Sequence, residues 1–326
     1  MVIGIDKGTR SKKYIAAAKS LNVQYKLIDC VANNVMAQIK DVDVFIWHWT
    51  QDSYIDKRIA YSIIKSTEIM GKVVYPNSST CWMFDDKLYE KYLLESIDVP
   101  VVDSFVFFDK KSAVQWADRQ MYPLVYKLSG GAGSANVRLI KSVKEAVNVC
   151  NNHFSFWGRP DIAMKFYYTH HNKYMDAIRD IYNGSLYKYG SNNRGYILFQ
   201  KFVPENTYDI RVTIIGERGI IFRRKVREDD FRASGSGKIS YEVSPEDIQA
   251  IPKARKVTEK IGSQTMAFDF IYDKGILKII EMSYGFVSKA VYDAPGWYDE
   301  HMVFHKEKTD VHKLVIENLL KDCGKK

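Results

Sequence analysis

The sequence predicts a mixed α/β fold, with a parallel α/β domain first and a larger region of helices and antiparallel strands after it. The chain has 326 residues, more than a single hydrophobic core usually holds, so two or three domains are expected. Four short apolar runs alternate with helix-length stretches in the first 84 residues, a rhythm typical of a parallel sheet. The apolar runs after residue 197 follow one another closely, as antiparallel strands do.

The composition is typical of a soluble globular protein. Hydrophobic residues make up 46% and charged residues 27%, and no apolar run approaches the length that crosses a bilayer. Met1 leads directly into a predicted strand, so no signal peptide is expected. The four cysteines show no C-x-x-C pair, which favours reduced structural thiols: Cys30, Cys81, Cys150 and Cys323. These features together predict a cytoplasmic protein without a membrane span.

The net charge of +9 favours an anionic partner. A nucleotide, a phosphorylated metabolite, a nucleic acid and an acidic glycan all satisfy that requirement. The sequence contains no zinc finger, no RNA-binding aromatic motif and no lysine block, so binding to nucleic acid is disfavoured.

The N-terminal domain is predicted over residues 1–84. Its strands are expected at residues 2–5, 25–29, 42–47 and 72–75. Pro76 ends the fourth run, and the polar residues 77–80 form a turn-rich linker after it. Trp47, His48 and Trp49 stand at the end of the third run, where α/β sheets place ligands, although an aromatic core plug is an equally good interpretation.

The middle of the chain mixes helices and strands without a strict repeat. Asp85 is expected to cap one helix, and residues 143–151 are predicted to form another. Strands are predicted at residues 101–108, 124–128, 135–140, 197–203, 210–215 and 219–224. Aromatic residues are frequent in 151–195, which we interpret as an elaborated lid or a subunit contact, with sugar stacking as a third use.

A glycine-rich turn follows the predicted strand that contains Lys127. Backbone N–H groups in such a turn could cradle phosphate oxygens while the Lys127 ammonium meets others. The spacing is not that of the Walker P-loop, and the turn leads to a strand instead of a helix, which excludes a Rossmann fingerprint. An ordinary hairpin turn is the alternative. The turn consists of Ser129, Gly130, Gly131, Ala132, Gly133 and Ser134.

Two apolar runs, at residues 266–272 and 276–283, form a predicted hairpin that carries two carboxylates. With a three-residue turn between the strands, Asp269 and Glu281 become diagonal neighbours on one face, about 7–8 Å apart at the backbone. Their oxygens can then converge on one or two hard cations. A two-residue turn would place them on opposite faces. A structural ion pair with a buried arginine is the alternative use of either carboxylate.

A dense set of charged residues lies on the predicted strands and the loop between these two motifs. Held in place, such cations can stabilise the negative charge that builds up on a transferred phosphoryl group. A solvated strand face is the alternative for any one of them. The set consists of Asp209, Arg211, Arg223, Arg224, Lys225, Arg227 and Arg232.

The order of these motifs resembles the ATP-grasp superfamily, in particular its branch of ribosomal-protein S6 glutamate ligase and glutathione synthetase. The resemblance covers about residues 76–290 and rests on six motifs: Asp86-Lys87, Pro123-Leu124-Val125-Tyr126-Lys127, Gln200-Lys201-Phe202-Val203, Asp209-Ile210-Arg211, Arg224 with Asp230-Phe231-Arg232, and Asp269 with Glu281. It implies an ATP-grasp fold with an N-terminal Rossmann-like α/β domain at 1–84. The central and lid subdomains would span 85–203, with an aromatic insertion at about 151–195. The C-terminal subdomain with the metal site would span 204–326.

The resemblance also implies roles for individual residues. Lys87 and Lys127 would face the nucleotide, and the glycine-rich turn would close over its phosphates. Asp209 would lie near the ribose or the hinge. The segment that contacts adenine would be Gln200, Lys201, Phe202 and Val203. Arg211, Arg224 and Arg232 would stabilise the acyl phosphate. The ligands of Mg²⁺, or of Mn²⁺ in its place, would be Asp269, Glu281 and Ser283.

The activity that the resemblance implies is ATP-dependent ligation of a carboxylate to an amine through an acyl phosphate, with release of ADP and phosphate. The partners would be a small-molecule, peptide or sugar carboxylate and an amine, and the chain would form an oligomer such as a homodimer. Three positions depart from the family pattern. Lys201 replaces an acidic residue in the adenine hinge, Ser283 replaces an asparagine in the metal site, and Tyr284 begins a segment that replaces Ser-Pro-Gly. An ATP-grasp phosphotransferase and a nucleotide-binding scaffold without turnover therefore stay as alternatives.

Overall fold

The computed structural model describes residues 1–49, 53–84, 86–128, 136–155, 195–228, 230–233 and 235–324. Within them the chain forms three sheets, of four, four and seven strands. The glycine-rich turn at 129–134 and all of the predicted aromatic insertion except residues 151–155 and 195 lie outside this description. None of the described helices combines the length and the apolar character that a bilayer crossing requires.

The first sheet is parallel and has the strand order β2-β1-β3-β4. Its strands are β1 (Val2–Asp6), β2 (Gln24–Ile28), β3 (Val44–Ile46) and β4 (Val73–Tyr75). The helices between them are α1 (Lys12–Ser20), α2 (Val35–Lys40) and α3 (Tyr54–Ile69). The parallel α/β arrangement that the sequence predicts is confirmed, with strand limits that differ by two residues at most.

The second sheet is antiparallel, with the strand order β5-β8-β6-β7. Its strands are β5 (Ser104–Phe107), β6 (Leu124–Lys127), β7 (Val137–Ile140) and β8 (Ile197–Lys201). The helices of this region are α4 (Ser78–Cys81), α5 (Lys87–Ser96), α6 (Lys110–Ala117) and α7 (Val143–His153). Asp86 caps α5 by accepting the N–H of Leu88, so the predicted cap at Asp85 is wrong by one residue.

The third sheet is also antiparallel, with the order β13-β12-β9-β10-β14-β15 and β11 paired to β10. Its strands are β9 (Tyr208–Ile215), β10 (Arg218–Lys225), β11 (Ile239–Ser240), β12 (Thr265–Asp273), β13 (Ile276–Ser283), β14 (Trp297–Tyr298) and β15 (Phe304–His305). The helices of this region are α8 (Pro245–Ile248), α9 (Ala250–Ile261), α10 (Ser288–Asp293) and α11 (Val311–Cys323).

The two faces of the third sheet differ in chemistry. Ile210 and Val212 on β9 and Phe268 on β12 point to one face and pack in a common core with Ala254 and Val257 of α9. Because successive side chains of a strand alternate, the residues between them point to the other face. That second face carries the charged residues of the predicted site.

The C-terminal helix α11 returns to the N-terminal sheet. It packs against α1 and β4, and Val315 and Ile316 share a buried core with Ala18 and Val44. Phe222 on β10 belongs to the same core. The first and third sheets are therefore joined through continuous apolar contacts.

Candidate active site

The two carboxylates of the predicted metal site lie directly opposite each other, Asp269 on β12 and Glu281 on β13. The turn has two residues, Lys274 and Gly275, whose φ values of 52° and 80° suit a type I′ hairpin. The predicted three-residue turn and the diagonal pairing are therefore wrong. A β-bulge adds Ile280 to β13, because Ile279 and Glu281 face consecutive residues of β12. This extra residue returns Glu281 to the face of Asp269, which a two-residue turn alone would not do.

Asp269 is bound by two arginines, one on the adjacent strand β9 and one on β10 beyond it. Arg211 donates to both carboxylate oxygens, with Nη2 2.9 Å from Oδ2 and Nε bonded to Oδ1. Arg224 Nη2 lies 2.7 Å from Oδ2. Arg224 also binds both oxygens of Asp209, at 2.8 and 2.6 Å. The four side chains form a compact cluster of two cations and two anions, and the ion pair considered as an alternative for Asp269 is present.

The pKa values of this cluster reflect burial and pairing. Burial, followed by the nearby charge of Asp269, raises the pKa of Asp209 to about 6 against the opposing effect of Arg224. For Asp269, burial acts in the same direction, but Arg211 and Arg224 outweigh it and hold the pKa below its ordinary value. Asp269 therefore stays ionised at neutral pH and can serve as a charged ligand.

Glu281 is bound by a buried lysine. Lys87 Nζ lies 2.8 Å from Glu281 Oε1 and 2.9 Å from Glu90 Oε1. Lys127, at the end of β6, is also buried, and its burial lowers the pKa of the ammonium while the charge of Glu281 opposes that shift. The structure thus brings the two predicted nucleotide-facing lysines to the same carboxylate, between the second and third sheets.

An apolar cleft of about 130 Å³ lies between these two sheets. Val125 and Val137 line it from the second sheet, and Ile271 and Ile280 line it from the third. Phe202 and Phe231 also line it, and their rings meet edge to face with centroids 5.8 Å apart. Lys127, Asp269 and Glu281 border the same cleft. Its shape and chemistry suit a flat apolar group that carries a negatively charged tail.

The segment predicted to contact adenine lies along this cleft. Gln200, Lys201, Phe202 and Val203 all line it. The Gln200 amide donates to Ser104 Oγ at 3.1 Å, and Lys201 Nζ lies 3.4 Å from Asp273 Oδ2. These side-chain bonds hold the segment to both walls.

The remaining predicted residues occupy different positions. Ser283 shares the face of Glu281, two residues along β13, and its Oγ accepts the N–H of Gly285 at 3.1 Å. Arg232 lines the cleft and its Nε donates to Asp230 at 2.7 Å. Arg223, in contrast, points to the opposite face and pairs with Asp247. The glycine-rich turn from Ser129 to Ser134 lies outside the described residues.

Two residues of the site were not identified from the sequence. Glu90 is 3% exposed, binds Lys87, and accepts the N–H of Met282 at 3.3 Å. Glu90 lies three residues after Lys87 on α5, and residues at that spacing are neighbours on a helix. This spacing could have predicted the Lys87–Glu90 ion pair from the sequence. Ile280 is the bulge residue, and the pair of consecutive apolar residues Ile279-Ile280 breaks the strand alternation there.

The fold was compared with solved structures. The RimK domain ATP-grasp protein from Sphaerobacter thermophilus aligns with 98% of this chain and 100% of its own length, with a TM-score of 0.57 and 13% identity. The chain has the ATP-grasp fold. The predicted fold class is therefore confirmed. A second match, D-alanine–D-alanine ligase from Bacillus anthracis complexed with ATP, covers 100% of this chain and 98% of that one, with a TM-score of 0.59 and 12% identity.

A curated relative gives a similar result at the level of sequence. The chain is 23% identical over 235 residues to alpha-aminoadipate–LysW ligase LysX of Saccharolobus solfataricus, and the alignment covers 68% of this chain and 70% of the relative. No protein-family model matches the chain.

Proposed function

We propose that this ATP-grasp chain is an ATP-dependent carboxylate–amine ligase that works through an acyl phosphate. One observation carries the proposal: Asp269, Glu281 and Lys127 line an apolar cleft between two sheets, and Lys87 binds Glu281 beside it. Two of the similar proteins, LysX and D-alanine–D-alanine ligase, are ligases by name, which supports this choice of reaction.

In this proposal the cleft binds ATP. The adenine would lie between Val125 of the second sheet and Ile271 of the third, beside the segment from Gln200 to Val203. The phosphates would extend to Lys87 and Lys127, where charge-assisted hydrogen bonds are strongest because water is excluded. The glycine-rich turn 129–134 follows Lys127 directly in sequence and is proposed to cover the phosphates.

The acidic residues fit a hard divalent cation. Asp269 and Glu281 are direct cross-strand neighbours, and the Ser283 hydroxyl is on their face, so the donor set consists of oxygen atoms alone. Mg²⁺ at ATP sites is commonly held by one or two carboxylates together with substrate phosphates and water, and Mn²⁺ accepts similar ligands. Held by Asp269, Glu281 and Ser283, Mg²⁺ would offset negative charge on the phosphates. Phosphates that attract Lys87 would release Glu281 for this role.

The proposed reaction has two displacements. A carboxylate oxygen attacks the γ-phosphorus, the bond from that phosphorus to the β,γ-bridging oxygen breaks, and ADP leaves. The amine then attacks the acyl carbon, a C–N bond forms, the C–O bond to phosphate breaks, and the amine loses a proton. Arg211 and Arg224 lie beside Asp269, where their guanidinium groups can offset charge on the transferred phosphoryl group, and Arg232 is proposed to assist from the cleft.

The test is product analysis with a matched pair of variants. The protein is incubated with Mg-ATP and pooled carboxylates and amines, and ADP, phosphate and new amide masses are measured. We expect an amide that requires both pools, and its loss in Asp269→Asn but not in Asp118→Asn, an exposed control. A phosphorylated product without amide would establish a phosphotransferase, and ATP binding without any product would establish a scaffold.

We further propose that the protein acts in the cytoplasm and forms a homodimer. The described cysteines Cys30, Cys81, Cys150 and Cys323 are all free, which is consistent with a reducing compartment.

A further inference from the structure

A second cavity lies on the same face of the third sheet, next to the arginine–aspartate cluster. Its volume is about 200 Å³. Arg211 and Thr213 of β9 and Phe222 and Arg224 of β10 line it from the sheet. Ala290 of α10 lines it from the C-terminal part of the chain. Gly235, which lies between β10 and β11, also lines it. The cavity thus begins where the transferred phosphoryl group would be and extends away from the nucleotide cleft.

The charge in this cavity is confined to one end. Arg211 and Arg224 are its only ionisable lining residues in the part of the chain that the structure describes. The remaining walls are mainly apolar: Phe222, Ile239, Phe286, Val287, Ala290 and Val291. A bound molecule would therefore meet cations at one end and hydrocarbon along the rest of its length.

Both arginines keep donors for a ligand. Each uses Nε and Nη2 for aspartate oxygens. A guanidinium carries five N–H groups, so the two hydrogens on each Nη1 stay available in the described structure. Two such groups side by side match the two oxygens of a carboxylate.

The hydroxyl of Thr213 is a second feature of this cavity that favours a bound ligand. Its side chain is fully buried, it lines the cavity, and its hydroxyl has no hydrogen-bond partner among the described residues. A buried hydroxyl without a partner is destabilising, and native proteins usually satisfy such groups with a ligand or a water molecule. Thr213 lies two residues from Arg211 on the same face of β9, so one small carboxylate can reach both side chains.

We propose that this cavity selects the carboxylate substrate, and that the substrate is an aliphatic monocarboxylate with a short, uncharged acyl chain. This inference rests on the proposed ligase function. The carboxylate would bind Arg211 and Arg224, with one oxygen near Thr213, and the acyl chain would lie against Phe222 and α10. A cavity of about 150 Å³ can enclose benzene, so the volume here suits a chain of about five or six carbons. A second carboxylate at the far end would meet apolar side chains and no cation among the lining residues.

Hydroxylamine trapping tests the choice of acid without knowledge of the natural amine. The protein is incubated with Mg-ATP, hydroxylamine and one acid at a time, and hydroxamate and ADP are measured. We expect pentanoate and 4-methylpentanoate to exceed pentanedioate in kcat/KM by at least about tenfold. A preference for pentanedioate would overturn this inference and leave the ligase proposal intact. The absence of hydroxamate and ADP with every acid, from protein that binds ATP, would refute both.

Val287 allows the preference to be reversed without disturbing the fold. It lines the cavity yet is 71% exposed, so a lysine is tolerated there. We expect Val287→Lys to raise kcat/KM for pentanedioate about tenfold relative to pentanoate, because the new ammonium pairs with the distal carboxylate. Val303→Lys makes the same change at a residue that is 54% exposed and does not line the cavity, and it should leave the ratio unchanged. An unchanged ratio in Val287→Lys would overturn the inference.

Thr213→Val separates ligand binding from a structural role. The isosteric change removes the hydroxyl, so we expect the ligand-free protein to melt at the same or a higher temperature. Hydroxamate formation from pentanoate should fall about three- to tenfold in kcat/KM, the loss of one hydrogen bond. A lower melting temperature, or unchanged kcat/KM, would show that Thr213 serves the fold and not the substrate.

Discussion

Within the arginine–aspartate cluster, we expect the removal of Arg224 to lower the free energy of unfolding most. Among the described residues it is the only cation bonded to Asp209 and one of two bonded to Asp269, and these carboxylates are 5% and 3% exposed. Removal of one partner from a buried ion pair typically costs about 3–5 kcal/mol. Proton uptake by Asp209 limits the cost. Because the wild-type carboxyl already ionises only near pH 6, its complete neutralisation at pH 7 adds at most about 1.4 kcal/mol, at 1.36 kcal/mol per pH unit.

We therefore expect Arg224→Met to lower the free energy of unfolding by about 2–3 kcal/mol at pH 7, measured by urea denaturation, because Asp269 also loses one of its two cations. The loss should shrink as the pH falls. The folded-state pKa of Asp209 is about 6 in the wild type and rises further without Arg224, so the contribution of Asp209 to the loss grows as the pH rises above 6 and disappears below it. The double variant Arg224→Met, Asp209→Asn should recover part of the loss at pH 7, because it removes the unpaired charge.

Lys225→Met is the matched control, since Lys225 is an exposed cation on the same strand and should change stability by less than about 0.5 kcal/mol. A loss of less than about 1 kcal/mol in Arg224→Met would contradict a stabilising role of Arg224. A double variant that is no more stable than the single one would contradict an unpaired charge on Asp209.

Three further predictions concern the cleft, the histidines and the hairpin. Lys127→Met should raise the Kd for ATP at least about tenfold in a titration. The control Lys141→Met, at an exposed lysine, should leave the Kd unchanged. A change of less than about twofold in Lys127→Met would show that Lys127 does not bind ATP. Burial lowers the pKa of His48 to about 3 and of His312 to about 4, below their ordinary 6.5. As the pH is lowered, the unfolded chain therefore protonates these histidines before the folded protein does. The free energy of unfolding should fall between pH 6.5 and 4, by up to about 1.4 kcal/mol per pH unit for each histidine. His48→Gln should reduce that slope in urea titrations, and an unaltered slope would contradict the assignment. Gly275→Ala should lower the free energy of unfolding by about 1–2 kcal/mol in thermal unfolding. The loss would come from the φ of 80° alone, because the new Cβ meets no atom within 4 Å. An unchanged stability would mean that the turn relaxes.

Local patterns in the sequence predicted most elements of the fold. Alternating apolar residues located β9, β10, β12 and β13 to within two residues, because one face of each strand is buried against the core. The hairpin turn was wrong because Asp273, Lys274 and Gly275 are compatible with loops of either length. Asp273 instead pairs with Ile276 and extends β12.

The charge cluster could not be derived in the same way. Which arginine binds Asp269 depends on the strand order β12-β9-β10, and 58 residues separate Arg211 from Asp269. The sequence predicted both side chains as candidate site residues but gave no register between distant strands. The placement of Lys87 depends likewise on how α5 packs against β13, which is a tertiary contact.

The return of α11 to the N-terminal sheet has a consequence for biosynthesis. Ala17 and Ala18 of α1 are covered by residues 311–323, which are translated more than 200 residues later. At about 5–20 residues per second, the ribosome needs roughly 15–60 seconds to make the chain between Ala18 and residue 311. Throughout that interval the nascent N-terminal domain carries an uncovered apolar face, the kind of surface that chaperones bind. A fragment that stops before residue 311 would keep this face open permanently, so the domain is made first but completed last.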